Sequence, residues 1–237
     1  MSASLLAATS VSLVREQHAI AQNAELARTY TPAVAPLVVG RSVPQLAVDR
    51  PSSRSLKVLV IGDSLATGLH ASNQARGFRP LTIEALEEDG PVEENHGHKS
   101  GGTADEVLEL TDLGKDNDLS IVELGTNDIG ETEIEDFRGQ YRELLNTIRE
   151  DSPDTQFLCA GTWQNRDLAG PYDAVIQDEC EASDGVFVSM VQLHENEANR
   201  GPAGRNDVYE GPSDTFHPND QGHQAIADRI MDHLNVS

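Results

Sequence analysis

Short aliphatic runs alternate with longer amphipathic segments from residue 56 onward, and this alternation restricts the fold more than any other feature. The runs are "LKVLVIG", "LSIVELG", "TQFLCAG" and "GVFVSMV". Such runs, without polar alternation, are typical of strands covered on both faces, as in a parallel sheet. Strands joined through helices form right-handed crossovers, so the sequence predicts a three-layer α/β/α sandwich with a flavodoxin-like parallel sheet. The predicted helices span residues 78–89, 103–113, 132–150, 172–183 and 219–234.

A polar segment, "PVEENHGHKS", lies where the second strand of this sheet belongs. A strand covered on both faces would be apolar, so we expect this one at the edge of the sheet. The segment contains His96 and His98, which together resemble half of a metal site. No set of further ligands stands around them at metal-site spacing, so we expect a loop or core role and no metal.

The first 54 residues follow a different pattern and are predicted to form an appendage to a main domain at residues 55–237. Apolar residues recur loosely at helical spacing over residues 1–30, which predicts a helix there. The next stretch is rich in proline, which forbids a long helix and predicts an extended segment lying on the main domain. Its prolines are Pro32, Pro36, Pro44 and Pro51.

The chain is strongly acidic, with a formal net charge of −23 from 40 acidic and 17 basic residues. Such a surface repels phosphate groups, so we expect neither nucleic acid nor an anionic lipid surface as a partner. Any membrane association is expected only through the N-terminal segment. Three of the basic residues are lysines. An acid-rich, lysine-poor surface suits high salt, where repulsion between like charges is screened.

Two cysteines, Cys159 and Cys180, are too few for a disulfide framework or a metal site. They either pair, as in an exported protein, or are two separately buried thiols. The start, "MSASLLAATSVSLVREQ", is apolar but lacks a positive n-region, which disfavours a signal peptide and leaves a membrane anchor open. A secreted or cell-envelope location is favoured over a cytoplasmic one, and the oligomeric state stays open.

Polar motifs follow the predicted strands at the edge where ligands bind in open parallel sheets, beyond the carboxyl ends of the strands. Each motif alone is also ordinary turn or helix-cap chemistry. Their joint occurrence at one edge favours a catalytic site. The motifs are "GDSL" at 62–65, "SGGT" at 100–103, "GTND" at 125–128 and, before the last helix, "DTFH" at 214–217.

Ester cleavage by a serine requires a nucleophile, a base, a group that orients the base, and donors for the oxyanion. Ser64 is the candidate nucleophile and His217 the candidate base, because imidazole titrates near neutral pH. Asp214 is close enough in sequence to bond one ring nitrogen and hold the tautomer. The oxyanion donors are then the backbone N–H groups of Ser64 and Gly101 and the side-chain amide of Asn127. This chemistry requires no cofactor.

The four motifs resemble the signature blocks of the SGNH hydrolase superfamily, the GDSL esterases and lipases, over about residues 56–234. The resemblance implies that Ser64 is the nucleophile, Asn127 the oxyanion asparagine, and Asp214 and His217 the acid and the base. It also implies a metal-free hydrolase of acyl esters, often O-acetyl groups on carbohydrates, short-chain esters or lipids.

Two details qualify the match. For the glycine of the second block the pattern favours Gly101, with Gly102 as the alternative. An α/β-hydrolase is excluded, because its Gly-x-Ser-x-Gly elbow requires glycine where Ala66 stands.

The expected function is therefore a serine-dependent ester hydrolase that forms an acyl-serine intermediate, with a small or carbohydrate O-acyl ester as substrate. The alternatives are an O-acyltransferase with the same triad, a lipase or lysophospholipase, and a non-catalytic carbohydrate-binding module. No long apolar insertion offers a tunnel for an acyl chain, which argues against long-chain lipids.

Other residues near the predicted site have less specific signals. Trp163, the single tryptophan, follows the fourth strand and either stacks on a sugar ring or is buried as packing. His194 and His223 are expected to be surface or cap residues. The long loop at residues 194–207 contains glycine and proline and is predicted to wall the substrate cleft.

Overall fold

A computed structural model describes residues 44–110 and 112–237 of the chain. The helix predicted over residues 1–30 lies outside the described residues. The strands are β1 (Leu46–Val48), β2 (Leu56–Gly62), β3 (Val92–His98), β4 (Leu119–Glu123), β5 (Gln156–Ala160), β6 (Val186–Val188) and β7 (Leu234–Val236). The α-helices are α1 (Ser64–Thr67), α2 (Phe78–Glu87), α3 (Ala104–Leu110), α4 (Ile134–Asp151), α5 (Arg166–Ala182), α6 (Val191–Glu195) and α7 (Asp220–Asp232).

Strands β2 to β6 form the main sheet, which is parallel throughout and has the order β3-β2-β4-β5-β6. The first strand of this sheet, β2, lies next to the edge strand β3, which the chain forms second. The chain then continues on the other side of β2 with β4, β5 and β6, which is the strand order of flavodoxin-like folds. Every residue of β4 is buried, as expected of a central strand. The polar strand β3 lies at the edge, as predicted, and the predicted fold class is confirmed.

Alternate residues of β2 enter two separate cores on the two faces of the sheet. Val58 and Val60 pack with α2 and α7, whereas Leu59 and Ile61 pack with α3, α4 and α5. Helix α4 presents one apolar stripe to the sheet because its buried residues recur every three or four positions. They are Ile134, Phe137, Tyr141, Leu144, Leu145 and Ile148. The helices thus cover both faces and leave the carboxyl edge of the strands open for a site.

Helix α5 begins at Arg166, before the start predicted at residue 172. Pro171, the residue before the predicted start, lies inside the helix. Asn165 caps the helix by accepting the Leu168 N–H, which secures the first turn ahead of the proline. The helix therefore continues through Pro171 and loses one backbone hydrogen bond there.

A short second sheet joins the residues before β2 to those after α7. Residues Leu46–Val48 pair in parallel with Leu234–Val236, next to the core beneath α2 and α7.

Cys159 of β5 and Cys180 of α5 form a disulfide, so pairing is the alternative that the structure contains. The domain boundary at residue 54 stays a prediction. Among the residues that the structure describes, no helix is long and apolar enough to span a bilayer.

Candidate active site

Ser64 stands at the carboxyl end of β2 as the first residue of α1. Asp63 is the N-cap of this helix, and its carboxylate accepts the Leu65 N–H at 3.0 Å. The Ser64 side chain lies in a protected position, since the residue is only 4 % exposed. The turn therefore serves as a helix cap and also presents the serine hydroxyl at the sheet edge.

Three predicted residues form one hydrogen-bonded series. The Oγ of Ser64 lies 3.0 Å from Nε2 of His217, although 153 positions separate them in sequence. The Nδ1 of His217 lies 2.7 Å from Oδ2 of Asp214. A second contact of the hydroxyl, with Asp63 Oδ1, is longer at 3.4 Å. A serine, an imidazole and a carboxylate in this order are the arrangement that activates a serine as a nucleophile.

The loop around Asp214 holds its carboxylate in place. Oδ1 accepts the backbone N–H groups of Phe216 at 2.9 Å and His217 at 2.8 Å, which leaves Oδ2 for the His217 ring. Partial burial acts to raise the pKa of Asp214, but the hydrogen bonds from the His217 backbone and ring and from Phe216 outweigh it and lower the pKa. Asp214 is therefore an anion at neutral pH, suited to stabilise an imidazolium.

Two of the predicted oxyanion donors are free. Among the described residues, neither the Ser64 N–H nor the Gly101 N–H donates a hydrogen bond. Ser64 is in the first turn of a helix, where N–H groups have no partner within the helix. Gly101 adopts φ +75°, a left-handed conformation that favours glycine. The alternative donor, Gly102, is engaged, because its N–H bonds the Lys99 carbonyl at 2.9 Å.

The third predicted donor, Asn127, is engaged by other groups of the protein. Its Nδ2 lies 2.8 Å from Oδ2 of Asp63 and 3.1 Å from the carbonyl oxygen of Gly102. Both neighbours are acceptors, so both amide hydrogens are in use. The side chain is therefore fixed at the sheet edge, but it must release one of these bonds to meet an oxyanion.

Sequence reasoning missed a buried pair of acids behind Ser64 and Asn127. Asp63 is fully buried, and Glu123, the last residue of β4, is 1 % exposed. The Asp63 N–H donates to Glu123 Oε2 at 3.3 Å. Burial raises the pKa of both groups, and for Glu123 the charge of Asp63 raises it further. A carboxyl group that ends an otherwise apolar strand, in "LSIVELG", was the available signal.

His70 also escaped the sequence analysis, and it lies directly beside the triad. Its Nδ1 accepts the Asp214 N–H at 3.4 Å, and its ring centroid is 5.0 Å from that of His217. Burial, followed by the charge of His217, lowers the pKa of His70. No sequence motif marks this residue, because its contact with Asp214 depends on how two distant loops pack.

Among the described residues, His70, Asp214 and His217 are the one group that places three potential metal-ligand atoms within 4.8 Å of one another. Two of these residues already share the hydrogen bond of the triad. The site is complete as a serine triad without an ion, and the expected absence of a metal stays a prediction.

Of the two alternatives for Trp163, stacking on a sugar ring and burial as packing, the structure contains the second. The residue is fully buried, and its indole N–H donates to the Phe216 carbonyl at 2.8 Å. The prediction that His194 is a surface or cap residue is wrong. His194 is buried edge-on against Trp163 and packs on Phe216, whose ring in turn contacts His217. This series of packed rings ends on the His217 ring, the candidate base.

Three further histidines of the described residues are not part of the triad. His223 is fully buried rather than exposed, since its ring accepts the Phe78 N–H at 3.3 Å and lies 3.1 Å from the Leu69 carbonyl. The prediction of a surface or cap role is wrong because the first turn of α7 packs onto the start of α2. His96 and His98 lie on the edge strand β3, with ring centroids 5.4 Å apart.

The loop at residues 194–207 packs on the loop that carries the triad acid and base. The Gly201 N–H donates to the His217 carbonyl at 3.4 Å, and the Arg200 guanidinium donates to the Thr215 carbonyl at 3.0 Å. These bonds hold the backbone on both sides of Phe216. That the loop also walls a substrate cleft stays a prediction.

Solved structures with the same fold include several esterases. A family two carbohydrate esterase from Clostridium thermocellum, in complex with cellohexaose, superposes with a TM-score of 0.55 at 16 % identity, over 75 % of this chain and 63 % of that chain. A putative GDSL-like lipase from Parabacteroides merdae gives 0.57 at 16 % identity, over 80 % and 98 %. The psychrotrophic esterase EstA from Pseudoalteromonas sp. gives 0.54 at 16 % identity, over 76 % and 96 %. This chain thus spans less than two thirds of the length of the carbohydrate esterase.

The fold and the site together define the class of α/β/α sandwiches that carry a hydrogen-bonded serine, histidine and aspartate at the carboxyl edge of a flavodoxin-like sheet. Residues 60–225 match the model of the GDSL-like lipase/acylhydrolase family, from within β2 to within α7. The chain belongs to this family. No curated protein sequence matches the chain.

Proposed function

We propose that this protein hydrolyses acyl esters through a covalent acyl intermediate on Ser64. The contact between Ser64 Oγ and His217 Nε2, at 3.0 Å, carries the proposal. Nε2 takes the hydroxyl proton as Oγ attacks the ester carbon, and Asp214 stabilises the imidazolium that forms. When the tetrahedral intermediate collapses, the bond between the acyl carbon and the alcohol oxygen breaks, and the leaving oxygen receives the proton from His217.

Water completes the cycle by the reverse sequence. His217 removes a proton from water, the oxygen attacks the acyl carbon, and the carboxylic acid leaves as Ser64 recovers its proton. The Ser64 and Gly101 N–H groups and the Asn127 amide stabilise the oxyanion in both halves of the reaction. The reaction needs no cofactor.

We propose a small, polar acyl ester as the substrate, with an O-acetyl group on a saccharide as the leading candidate. The carbohydrate esterase from Clostridium thermocellum, which shares the fold, is described in complex with cellohexaose. The chain's net charge of −23 also disfavours binding at an anionic lipid surface. A series of esters of increasing acyl length, including acetylated cello-oligosaccharides, tests this. Faster turnover of octanoyl than of acetyl esters would indicate a lipase instead.

The reaction itself is tested with p-nitrophenyl acetate. Ser64→Ala is expected to lower kcat/KM by about 10⁴-fold or more, because the attacking oxygen is lost. Ser72→Ala is the matched control, since Ser72 is exposed and outside the triad, and it should retain the wild-type rate. Equal background rates in the wild type and in Ser64→Ala would exclude the proposed reaction.

We also propose that the protein works outside the reducing cytoplasm. The disulfide between Cys159 and Cys180 supports this, because such bonds persist in oxidising compartments. Thiol labelling of the denatured protein, taken directly from its native cell fraction, should modify neither cysteine. Labelling of both would contradict this location.

A further inference from the structure

We propose that Glu123 is a positioning residue for the oxyanion asparagine, acting as a neutral carboxylic acid that hydrogen-bonds Asp63, which in turn holds Asn127. The inference rests on the proposed function, in which the Asn127 amide stabilises the oxyanion. It adds a residue that lies on the central strand and touches neither the triad base nor the triad acid.

The backbone brings the two carboxyl groups together. Glu123 ends β4 in register with Gly62 of β2, so its side chain lies beside the turn that leads to Ser64. The Asp63 N–H donates to Glu123 Oε2 at 3.3 Å, so the two buried acid side chains lie beside each other. A Cβ added at Gly62 would lie 2.8 Å from Glu123 Oε2. Glycine at this position thus permits the close approach of strand and acid.

The hydrogen-bond donors around the pair show which acid keeps the proton. Asp63 accepts hydrogen bonds from Leu65 N–H at 3.0 Å and from Asn127 at 2.8 Å, as expected of an anion. Glu123 Oε1 is buried and accepts no hydrogen bond from any described residue. An ionised Glu123 would leave this oxygen charged and unpaired, whereas a protonated Glu123 donates to Asp63.

The electrostatic surroundings of the pair also favour a single negative charge. The charge of Asp128, which follows β4, acts to raise the pKa of Asp63, and the charge of Glu123 acts to raise the pKa of the buried Tyr141 hydroxyl group of α4. Neither Asp128 nor Tyr141 supplies a positive charge. Two adjacent carboxylates in a dry site repel each other, so the pair retains one proton.

The arrangement links the proton on Glu123 to the geometry of the oxyanion site. With Glu123 neutral, Asp63 is the charged acceptor that fixes the Asn127 amide nitrogen. Without the Glu123 donor, Asp63 loses a hydrogen bond that stabilises its charge and takes up the proton more readily. Asn127 is then held less firmly, and the transition state loses stabilisation while ground-state substrate binding is kept.

Two substitutions at position 123 separate hydrogen bonding from packing. Glu123→Gln keeps a donor for Asp63 and an acceptor for its N–H, whereas Glu123→Met keeps the volume and removes both. We expect Glu123→Met to lower kcat about 10- to 100-fold with little change in KM, and Glu123→Gln to restore most of kcat. Glu84→Met, on the exposed side of α2, is the matched control. Circular dichroism establishes that each variant is folded.

A double-mutant cycle tests whether Glu123 acts through Asn127. If it does, adding Glu123→Met to Asn127→Ala should lower kcat less than about threefold further, because neighbours in one network are not additive. An equal loss of kcat in the Gln and Met variants, wild-type kcat in the Met variant, or a full additional loss in the double variant would overturn the proposal.

A carboxyl-carbon NMR titration gives a readout that does not depend on activity. In protein labelled at the glutamate carboxyl carbons, one resonance should remain in the protonated position at neutral pH and be absent in Glu123→Gln. If every glutamate is ionised at neutral pH, the proposed role of Glu123 is wrong, even if the enzyme is active. If the protonated resonance is present but Ser64→Ala is as active as the wild type, the proposed function fails instead.

Discussion

The side-chain nitrogen of Asn127 lies 3.1 Å from the carbonyl oxygen of Gly102, so a candidate oxyanion donor is occupied by the protein itself in the free state. The other amide hydrogen is held by Asp63. An oxyanion carries more charge than a peptide carbonyl and accepts the stronger hydrogen bond. The oxyanion of the tetrahedral intermediate therefore displaces the Gly102 carbonyl from Asn127 more readily than the carbonyl oxygen of the ground-state ester does.

Removal of the Asn127 amide should therefore affect the chemical step more than binding. Asn127→Ala is expected to lower kcat about 10²- to 10³-fold with a small change in KM, as for other oxyanion donors. Asn73→Ala, at an exposed loop position, is the matched control and should leave both constants unchanged. Steady-state kinetics on p-nitrophenyl acetate measures the effect. A raised KM at unchanged kcat would mean that Asn127 only binds the ground state.

Asp173 gives a prediction for the pH dependence of stability. Burial raises the pKa of its carboxyl group to about 6, and hydrogen bonds from Thr162 only partly offset this effect. The folded state then binds the proton more tightly than the unfolded state, so Asp173 destabilises the fold progressively as pH rises from about 4 to about 6. Below about pH 4 the Asp173 carboxyl group does not lower the free energy of unfolding, and above about pH 6 it lowers it by a constant amount.

Asp173→Asn should remove this cost. Urea unfolding of both proteins at about pH 4 and about pH 8 gives the comparison. Relative to the wild type, the variant should gain on the order of 2–3 kcal/mol between the two pH values. Because all other groups are shared, their contributions cancel in this difference. Equal pH dependence in the two proteins would show that Asp173 is not perturbed.

The disulfide should stabilise the protein without taking part in the reaction. It joins two residues 21 positions apart, one in β5 and one in α5, on the face away from α2 and α7. Replacing both cysteines by alanine should lower the free energy of unfolding by about 3 kcal/mol, with kcat retained below the melting transition. Dithiothreitol should destabilise the wild type by a similar amount and leave the double variant unaffected. A double variant as stable as the oxidised wild type would contradict the prediction.

The acidic surface predicts stabilisation by salt. Glutamates and aspartates crowd the start of α4, where Glu131, Glu133, Glu135, Asp136 and Glu143 line one groove. Screening of their mutual repulsion should raise Tm as NaCl increases from about 0.1 to about 1 M, over which the Debye length falls from about 10 to about 3 Å. Differential scanning calorimetry measures this, with a sucrose series as the uncharged control. A Tm that stays constant or falls in NaCl would show that the repulsion does not limit stability.

The fold could be predicted because its local signals agree with one another. The aliphatic run of β4 is buried along its whole length, and the polar sequence of β3 matches an edge. The site motifs could be predicted for the same reason, since each follows its own strand or precedes α7. The start of α5 could not be predicted in this way. Asn165 caps the helix ahead of Pro171, and the chain continues as a helix through the proline.

The residues that sequence reasoning missed or misplaced owe their roles to contacts between distant segments. His70 reaches Asp214 across 144 positions, and nothing in its own neighbourhood distinguishes it from a loop histidine. His223 was expected to be a surface or cap residue, yet its ring is buried and accepts the Phe78 N–H. Trp163 lies at the predicted sheet edge, but its ring packs behind Phe216 rather than in the site.

The central claim is that the Oγ of Ser64 attacks the substrate. A p-nitrophenyl alkylphosphonate, which modifies activated serines, tests it when the modified protein is mapped by mass spectrometry. The account predicts one adduct per chain, on Ser64, with activity lost in proportion and no adduct in His217→Ala. Complete inactivation with Ser64 unmodified, or an adduct on another residue that accounts for the loss of activity, would contradict it.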